Sequence, residues 1–157
     1  MHRDRHRLLH LLEIATVGVP FCVFKLLTGW LLLTVPAWRL VGGALLALGA
    51  LDLALNAVGF VLTLAGRGGR LGVCTFQQAM AMARPGQRAW SEFGLSLDAM
   101  LAFTLVALMI GLGLLQRLPP RASHAWSTAV VLSVLGAGIG RLAESLAELR
   151  EDGVSAR

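Results

Sequence analysis

The stretch FCVFKLLTGW, residues 21–30, places a lysine, Lys25, inside an almost wholly apolar run. The rest of the chain has the same character, because 56% of its 157 residues are hydrophobic and only 15% are charged. A water-soluble domain with this composition has too few polar residues to cover its surface. A lipid bilayer is therefore the expected solvent, and an ammonium group inside it needs a partner.

Four segments are long and apolar enough to cross a hydrocarbon layer about 30 Å thick, which takes about 20 helical residues. They cover residues 14–34, 40–64, 95–115 and 125–146. Lipid offers no partner to unpaired backbone amides, so these segments are expected to be helices. The predicted fold is an all-α integral membrane protein, with one transmembrane four-helix domain over residues 1–157.

Proline-containing turns predict how the four helices are connected. PAWR, residues 36–39, and LPPRASH, residues 118–124, each favour a reversal of the chain. The predicted arrangement is two antiparallel hairpins joined by a cytoplasmic connector over residues 66–93. Within the connector, CTFQQAMAMAR, residues 74–84, predicts a short amphipathic helix that either lies on the membrane surface or docks on a partner.

The distribution of arginine predicts the orientation. With four spans, both termini share a side that carries nine arginines against three on the other, which favours cytoplasmic termini. Attraction to anionic lipid headgroups also accounts for the net charge of +5, and no nucleic-acid partner is expected. Abundant Ala, Leu and Gly, with Arg in place of Lys, indicate a GC-rich bacterial genome and hence the cytoplasmic (inner) membrane. An aromatic belt would place Trp30, Trp38 and Trp126 near the outer interface and Trp90 near the inner one.

Counting residues from the first turn predicts a partner for the lysine. Lys25 lies 12 residues before Ala37 and Asp52 lies 15 residues after it, so their depths differ by about 4.5 Å at 1.5 Å per residue. Asn56 is one helical turn beyond Asp52 on the same face. The sequence therefore predicts an intramembrane polar cluster of Lys25, Asp52 and Asn56.

The same count predicts a second ion pair. Asp98 lies 22 residues before Pro120 and Arg141 lies 21 residues after it, with Glu144 as another candidate partner of Arg141. An unpaired charge in the membrane costs at least about 2.5 kcal/mol, so these groups are expected to pair. The two pairs either lock the helices together or line an ion or proton path. Lys25 is the better candidate for titration, because lysine loses its proton when buried more readily than arginine does.

Small residues recur at spacings of four and three on two of the helices, which predicts helix-packing seams. These seams pack either within the bundle or against a second copy or another membrane protein. The second helix carries Gly43, Ala47, Ala50, Ala54 and Ala57, and the fourth carries Ala129, Ser133, Gly136, Gly140 and Ala143.

The remaining motifs do not indicate catalysis. Cys22 and Cys74 form no CxxC pair, no histidine falls inside a span, and GAGIG, residues 136–140, lacks the spacing of a dinucleotide fingerprint. We expect a non-enzymatic protein without metal or cofactor that acts by helix association, as a homo-oligomer or as an accessory subunit of a larger membrane complex. The alternative is a small oligomeric channel or transporter for ions or protons that uses the cluster of Lys25, Asp52 and Asn56.

Overall fold

A computed structural model of the chain describes residues 8, 10–66 and 74–155, with the side chains at positions 88, 140, 141 and 143–155 outside the description. All regular elements in this part of the chain are helical. The five α-helices are α1 (Val19–Leu33), α2 (Arg39–Leu64), α3 (Thr75–Ala83), α4 (Arg88–Gly111) and α5 (Pro120–Ser155). Four helical stretches are long and apolar enough to cross a membrane: His10–Leu33, Pro36–Leu64, Ala89–Gly111 and Pro120–Ile139.

The four long helices match the predicted spans in number but not in their bounds. The third begins at Arg88 instead of residue 95, directly after a turn at Gly86, whose φ of 82° is the left-handed conformation that glycine adopts without strain. The fourth begins at Pro120, because proline fixes φ near the helical value and needs no hydrogen-bond acceptor at a helix start. The segment that joins the second and third long helices is therefore shorter than predicted.

A π-helical turn, Ile14–Gly18, precedes α1. Pro20 explains it, because proline has no N–H with which to continue the regular ladder of hydrogen bonds. The turn also brings Gly18 against α2, where a side chain at Gly18 would overlap the amide of Asn56.

Helices α1 and α2 approach each other through a pair of glycines. A Cβ added to Gly29 would lie 2.8 Å from the carbonyl oxygen of Gly42, and one added to Gly42 would lie 2.7 Å from the carbonyl oxygen of Gly29. Only residues without a side chain allow two backbones to come this close. The contact fixes the rotation of α1 and α2 relative to each other.

The buried core is centred on α1. Its members come from all four long helices: Phe24, Leu31, Leu32, Leu45, Ala102, Leu105, Met109, Leu114, Leu118, Trp126 and Ala129. Trp126 corrects the aromatic-belt prediction, because only 3% of it is exposed and its Nε1 donates a hydrogen bond to Thr28 Oγ1 at 2.9 Å. Its ring lies 5.5 Å from that of Phe24, so Trp126 joins α5 to α1.

The short helix α3 is where the sequence predicts it, but it does not lie across the end of the bundle. Its first residue, Thr75, is hydrogen bonded to Asp52, which is 12 residues before the end of α2 at Leu64 (64 − 52). Along a helix this is about 18 Å. Gly94 of α4 gives α3 its space, since a Cβ there would lie 2.8 Å from the Cα of Gln77. The prediction of a surface helix is therefore wrong, and α3 starts halfway along α2.

Candidate functional site

Lys25, the only lysine of the chain, is buried between two carboxylates. Its Nζ donates hydrogen bonds to Asp52 Oδ2 at 2.5 Å and to Asp98 Oδ1 and Oδ2 at 2.6 and 2.8 Å. No more than 2% of any of the three residues is exposed. We call Lys25, Asp52 and Asp98 the Lys25 cluster; it joins α1, α2 and α4.

The surroundings of Lys25 explain how α1 carries an ammonium group inside an apolar core. Gly49 of α2 faces the stem of the lysine, where an added Cβ would lie 3.2 Å from the lysine Cβ. Phe21 lies one turn before Lys25, and its ring centroid is 4.9 Å from Nζ, within the range of a cation–π contact. A missing side chain on α2 and an aromatic face on α1 therefore direct the ammonium toward the two carboxylates.

Asp52 is held by the start of α3 as well as by Lys25. Its Oδ1 accepts hydrogen bonds from the backbone N–H and the hydroxyl of Thr75, at 2.5 and 2.6 Å. The first N–H groups of a helix lack partners within the helix and carry its partial positive charge. Both oxygens of Asp52 thus face donors, an arrangement that favours the ionised form.

Asp98 has a less complete set of donors. Its two oxygens share the single ammonium of Lys25, and the other hydrogen-bonding group at its side chain is the thiol of Cys74. A thiol is a weak donor. Burial and the negative charge of Asp98 raise the pKa of Cys74 to about 12, so the thiol keeps the proton that it shares with the carboxylate.

Cys74 is also the N-cap residue of α3. Its Sγ accepts a hydrogen bond from the backbone N–H of Gln77 at 3.4 Å. The first two residues at the start of α3 therefore contact both acids of the Lys25 cluster: Cys74 contacts Asp98, and Thr75 contacts Asp52. We found no signal in the sequence for this role of residues 74 and 75, because the amphipathic pattern of the segment indicates a helix but not its depth.

Asn56 lies next to the cluster but does not contact its charged atoms in the recorded hydrogen bonds. Its Nδ2 donates to the backbone carbonyl of Asp52 at 2.8 Å and to Cys22 Sγ at 3.6 Å. The predicted grouping of Lys25, Asp52 and Asn56 is thus present, with Asn56 bound to the backbone of Asp52 and not to its carboxylate.

The predicted partner of Asp98 differs from the one in the structure. The sequence assigned Asp98 to Arg141, whereas its carboxylate accepts from Lys25. The depth count assumed one helix from Asp98 to Pro120, but α4 ends at Gly111 and the chain turns at Gly113, whose φ is 63°. A 3₁₀ turn, Leu114–Arg117, follows, so only 13 of the 22 residues are helical (111 − 98). The side chains of Arg141 and Glu144 lie outside the described part of the chain, and their pairing stays a prediction.

The two small-residue seams face different surroundings. On α2 the predicted residues Gly43, Ala47, Ala50, Ala54 and Ala57 are all exposed, and the face packed inside the bundle carries Gly42, Leu45, Gly49, Asp52, Asn56, Gly59 and Thr63. On α5, Ala129 and Ser133 are buried and Gly136 packs against Thr16 and Val17, while position 140 lies outside the description. The seam on α2 therefore faces away from the rest of this chain.

Charge counting defines what the Lys25 cluster can do chemically. One ammonium faces two carboxylates at a depth where no water competes, so the cluster has one negative charge more than it has positive charges. The start of α3 offsets part of that charge with hydrogen-bond donors. Such a cluster holds four helices together, and it is also a place where a proton can bind.

Comparisons with known proteins give no matching family model, no matching curated protein and no matching solved structure. Function is therefore inferred from the geometry of this chain alone.

Proposed function

We propose that this chain is a multi-pass protein of the bacterial cytoplasmic membrane, with both termini in the cytoplasm, that acts by associating with a second copy of itself. The four long apolar helices support the membrane assignment, and the uneven distribution of arginine supports the orientation. One observation carries the association: the small residues of α2 face outward.

The exposed residues of α2 form a shallow apolar groove. At 100° per residue, the positions of Gly43, Ala47, Ala50 and Ala54 fall within a narrow stripe, roughly opposite the buried face of the helix. A Cβ added to Gly43 would meet nothing within 4 Å. The exposed side chains of Leu51 and Val58 border the stripe, so small residues form its floor and larger ones its edge.

This shape suits another helix better than lipid chains. Helices in a membrane associate through close packing, and a stripe of small residues lets a second backbone approach. A two-fold pair would place α2 of one copy against α2 of the other, because such an interface uses the same patch on both subunits. The Gly29–Gly42 contact between α1 and α2 is the same kind of packing within one chain.

Disulfide cross-linking in native membranes tests the proposal. Cysteine in place of Ala50 lies on the stripe, and cysteine in place of Ala107, an exposed alanine of α4, is the matched control. Both are made with Cys22→Ala and Cys74→Ser, so that no other thiol reacts. We expect Ala50→Cys to give a covalent dimer on mild oxidation and Ala107→Cys to stay monomeric.

Enlarging the stripe supplies a second measurement. Ala50→Leu should shift the protein toward monomer in detergent at several concentrations, whereas Ala107→Leu should leave its size unchanged. Equal cross-linking at both positions, or a single monomeric species throughout, would contradict self-association. Cross-linking of Ala50→Cys to a different protein would instead favour the role of an accessory subunit in a larger membrane complex.

A second candidate function, a small channel or transporter for protons or cations, is favoured by the Lys25 cluster. Buried charges halfway along membrane helices often mark ion paths, and a short helix that ends on them is a common way to build one. Conduction would require the cluster to open, because its residues are at most 2% exposed. Liposomes that contain the protein and proton- or cation-sensitive dyes test this, and flux equal to that of empty liposomes under both signs of potential would argue against it.

A further inference from the structure

The Lys25 cluster contains one carboxylate more than it can neutralise, and this imbalance points to a ligand. We propose that the cluster binds one exchangeable proton and that Asp98 is the residue that takes it. Within the described side chains, the titratable groups that face Asp98 are Lys25 on α1, with Cys22 further along the same helix, Asp52 on α2, and Cys74 at the start of α3.

Bringing a net negative charge into an apolar bundle is unfavourable. A buried ion pair repays the loss of hydration only when its charges and hydrogen bonds are matched, and a third, unmatched charge has no such compensation. Two carboxylates that share one site usually ionise one at a time, because each disfavours the charge on the other. One added proton makes the Lys25 cluster neutral while the ammonium keeps both of its partners.

The hydrogen bonds decide which carboxylate takes the proton. Asp52 Oδ2 accepts from Lys25, and Oδ1 accepts from the N–H and the hydroxyl of Thr75, so protonation of Asp52 would place an O–H against existing donors. Asp98 has only the shared ammonium and the Cys74 thiol. Asp98 is therefore the acid that loses less when it becomes neutral.

The bound proton also finds an acceptor. When an O–H bond forms on one oxygen of Asp98, that oxygen stops accepting from Lys25 and the other oxygen continues to do so. The new hydroxyl can donate to Cys74 Sγ, since the thiol rotates its own hydrogen away and sulfur is a weak acceptor. The proton comes from water, and the net charge of the cluster changes from −1 to zero without any change in Lys25 or Asp52.

Infrared spectroscopy of the protein in liposomes tests the site, because a protonated carboxyl group has a carbonyl band that a carboxylate lacks. In wild-type protein we expect one such band that grows as the pH is lowered and shifts in heavy water. Heavy-isotope labelling of the aspartate carboxyl carbons should move this band, which separates aspartate from glutamate without a substitution. Absence of a titrating aspartate band from wild-type protein with intact helical circular dichroism would overturn the proposal.

Three variants assign the band. Asp98→Asn should lose it, and Asp52→Asn should also lose it at the same pH, because Lys25 then neutralises Asp98 fully. Lys25→Met should show about twice the band area, since two acids are left without a cation. A band kept in Asp98→Asn would place the proton elsewhere and overturn the assignment. The proton site does not depend on self-association, because the spectra report on the cluster and cross-linking reports on the stripe of α2.

Discussion

Replacement of Lys25 by methionine should destabilise the protein more than any single substitution of its two acidic partners. Lys25→Met removes the only positive charge of the cluster and leaves Asp52 and Asp98 facing each other without a cation. Asp98→Asn, in contrast, leaves a neutral pair of Lys25 and Asp52. The order of the losses therefore tests whether one lysine serves both acids.

The expected sizes follow from the bonds that each change removes. Breaking a buried ion pair by removal of one partner costs about 3–5 kcal/mol, and we expect Lys25→Met to reach at least that range. Asp98→Asn loses charge-assisted hydrogen bonds and should cost about 1.5–3 kcal/mol. The triple variant Lys25→Met, Asp52→Asn, Asp98→Asn carries no charge in the cluster and should recover most of the loss, because much of the penalty comes from stranded charge.

The Lys25→Met variant should also become less stable as the pH rises. Its folded form keeps protons on the two buried acids that the unfolded chain releases, so the folded state binds more protons than the unfolded state. Where that holds, the free energy of unfolding falls with increasing pH. The same substitution at the adjacent position, Leu26→Met, introduces methionine without a change in charge and should show no such slope.

Reversible unfolding in mixed micelles, followed by helical circular dichroism, gives the free energies for all four variants. Their combination is analysed as a mutant cycle, since residues in contact are not expected to act additively. If Lys25→Met cost no more than Asp98→Asn, or if the triple variant were no more stable than Lys25→Met, Lys25 would not be the shared partner of both acids.

Three further outcomes follow from the packing and from the thiol at the start of α3. Gly29→Ala should cost about 1–3 kcal/mol in thermal unfolding, because its Cβ would lie 2.8 Å from a backbone oxygen of α2, whereas Gly43→Ala meets nothing within 4 Å and should be neutral; equal losses would contradict the close contact. Trp126→Phe should cost about 1–3 kcal/mol and remove the most blue-shifted fluorescence, since it strands a buried hydroxyl on α1; unchanged emission would place that indole elsewhere. Because burial and the charge of Asp98 raise the pKa of Cys74 to about 12, alkylation of this thiol should be slow at neutral pH and speed up toward that value, and Asp98→Asn should accelerate it at any given pH.

Composition and helical periodicity were sufficient to predict the long helices and the proximity of Lys25 and Asp52. Four apolar stretches stand out because each exceeds the length needed to cross a membrane. The depth count succeeded between Lys25 and Asp52 because only a short turn, Pro36–Trp38, separates α1 from α2, so nearly every counted residue is helical.

The same reasoning failed where the chain leaves the helix. Gly113 and the 3₁₀ turn after it shorten the path from Asp98, which the count treated as regular helix. The stripe on α2 was identified correctly as a set of small residues, but Gly42 and Gly43 are adjacent in sequence, and spacing alone does not tell which of them faces α1. A neighbour in space makes that distinction, and a single sequence holds no direct record of it.

The position of α3 also constrains the order in which the protein can be made. A helix of nine residues is too short to enter a bilayer by itself, so α3 has to wait for α2 to supply Asp52 and for α4 to supply Gly94 and Asp98. α4 is synthesised after α3, which means that the start of α3 cannot reach its final place while it leaves the ribosome. Completion of the Lys25 cluster is therefore a late step of biogenesis, and until that step the membrane holds a lysine and an aspartate that are still one acid short of their final arrangement.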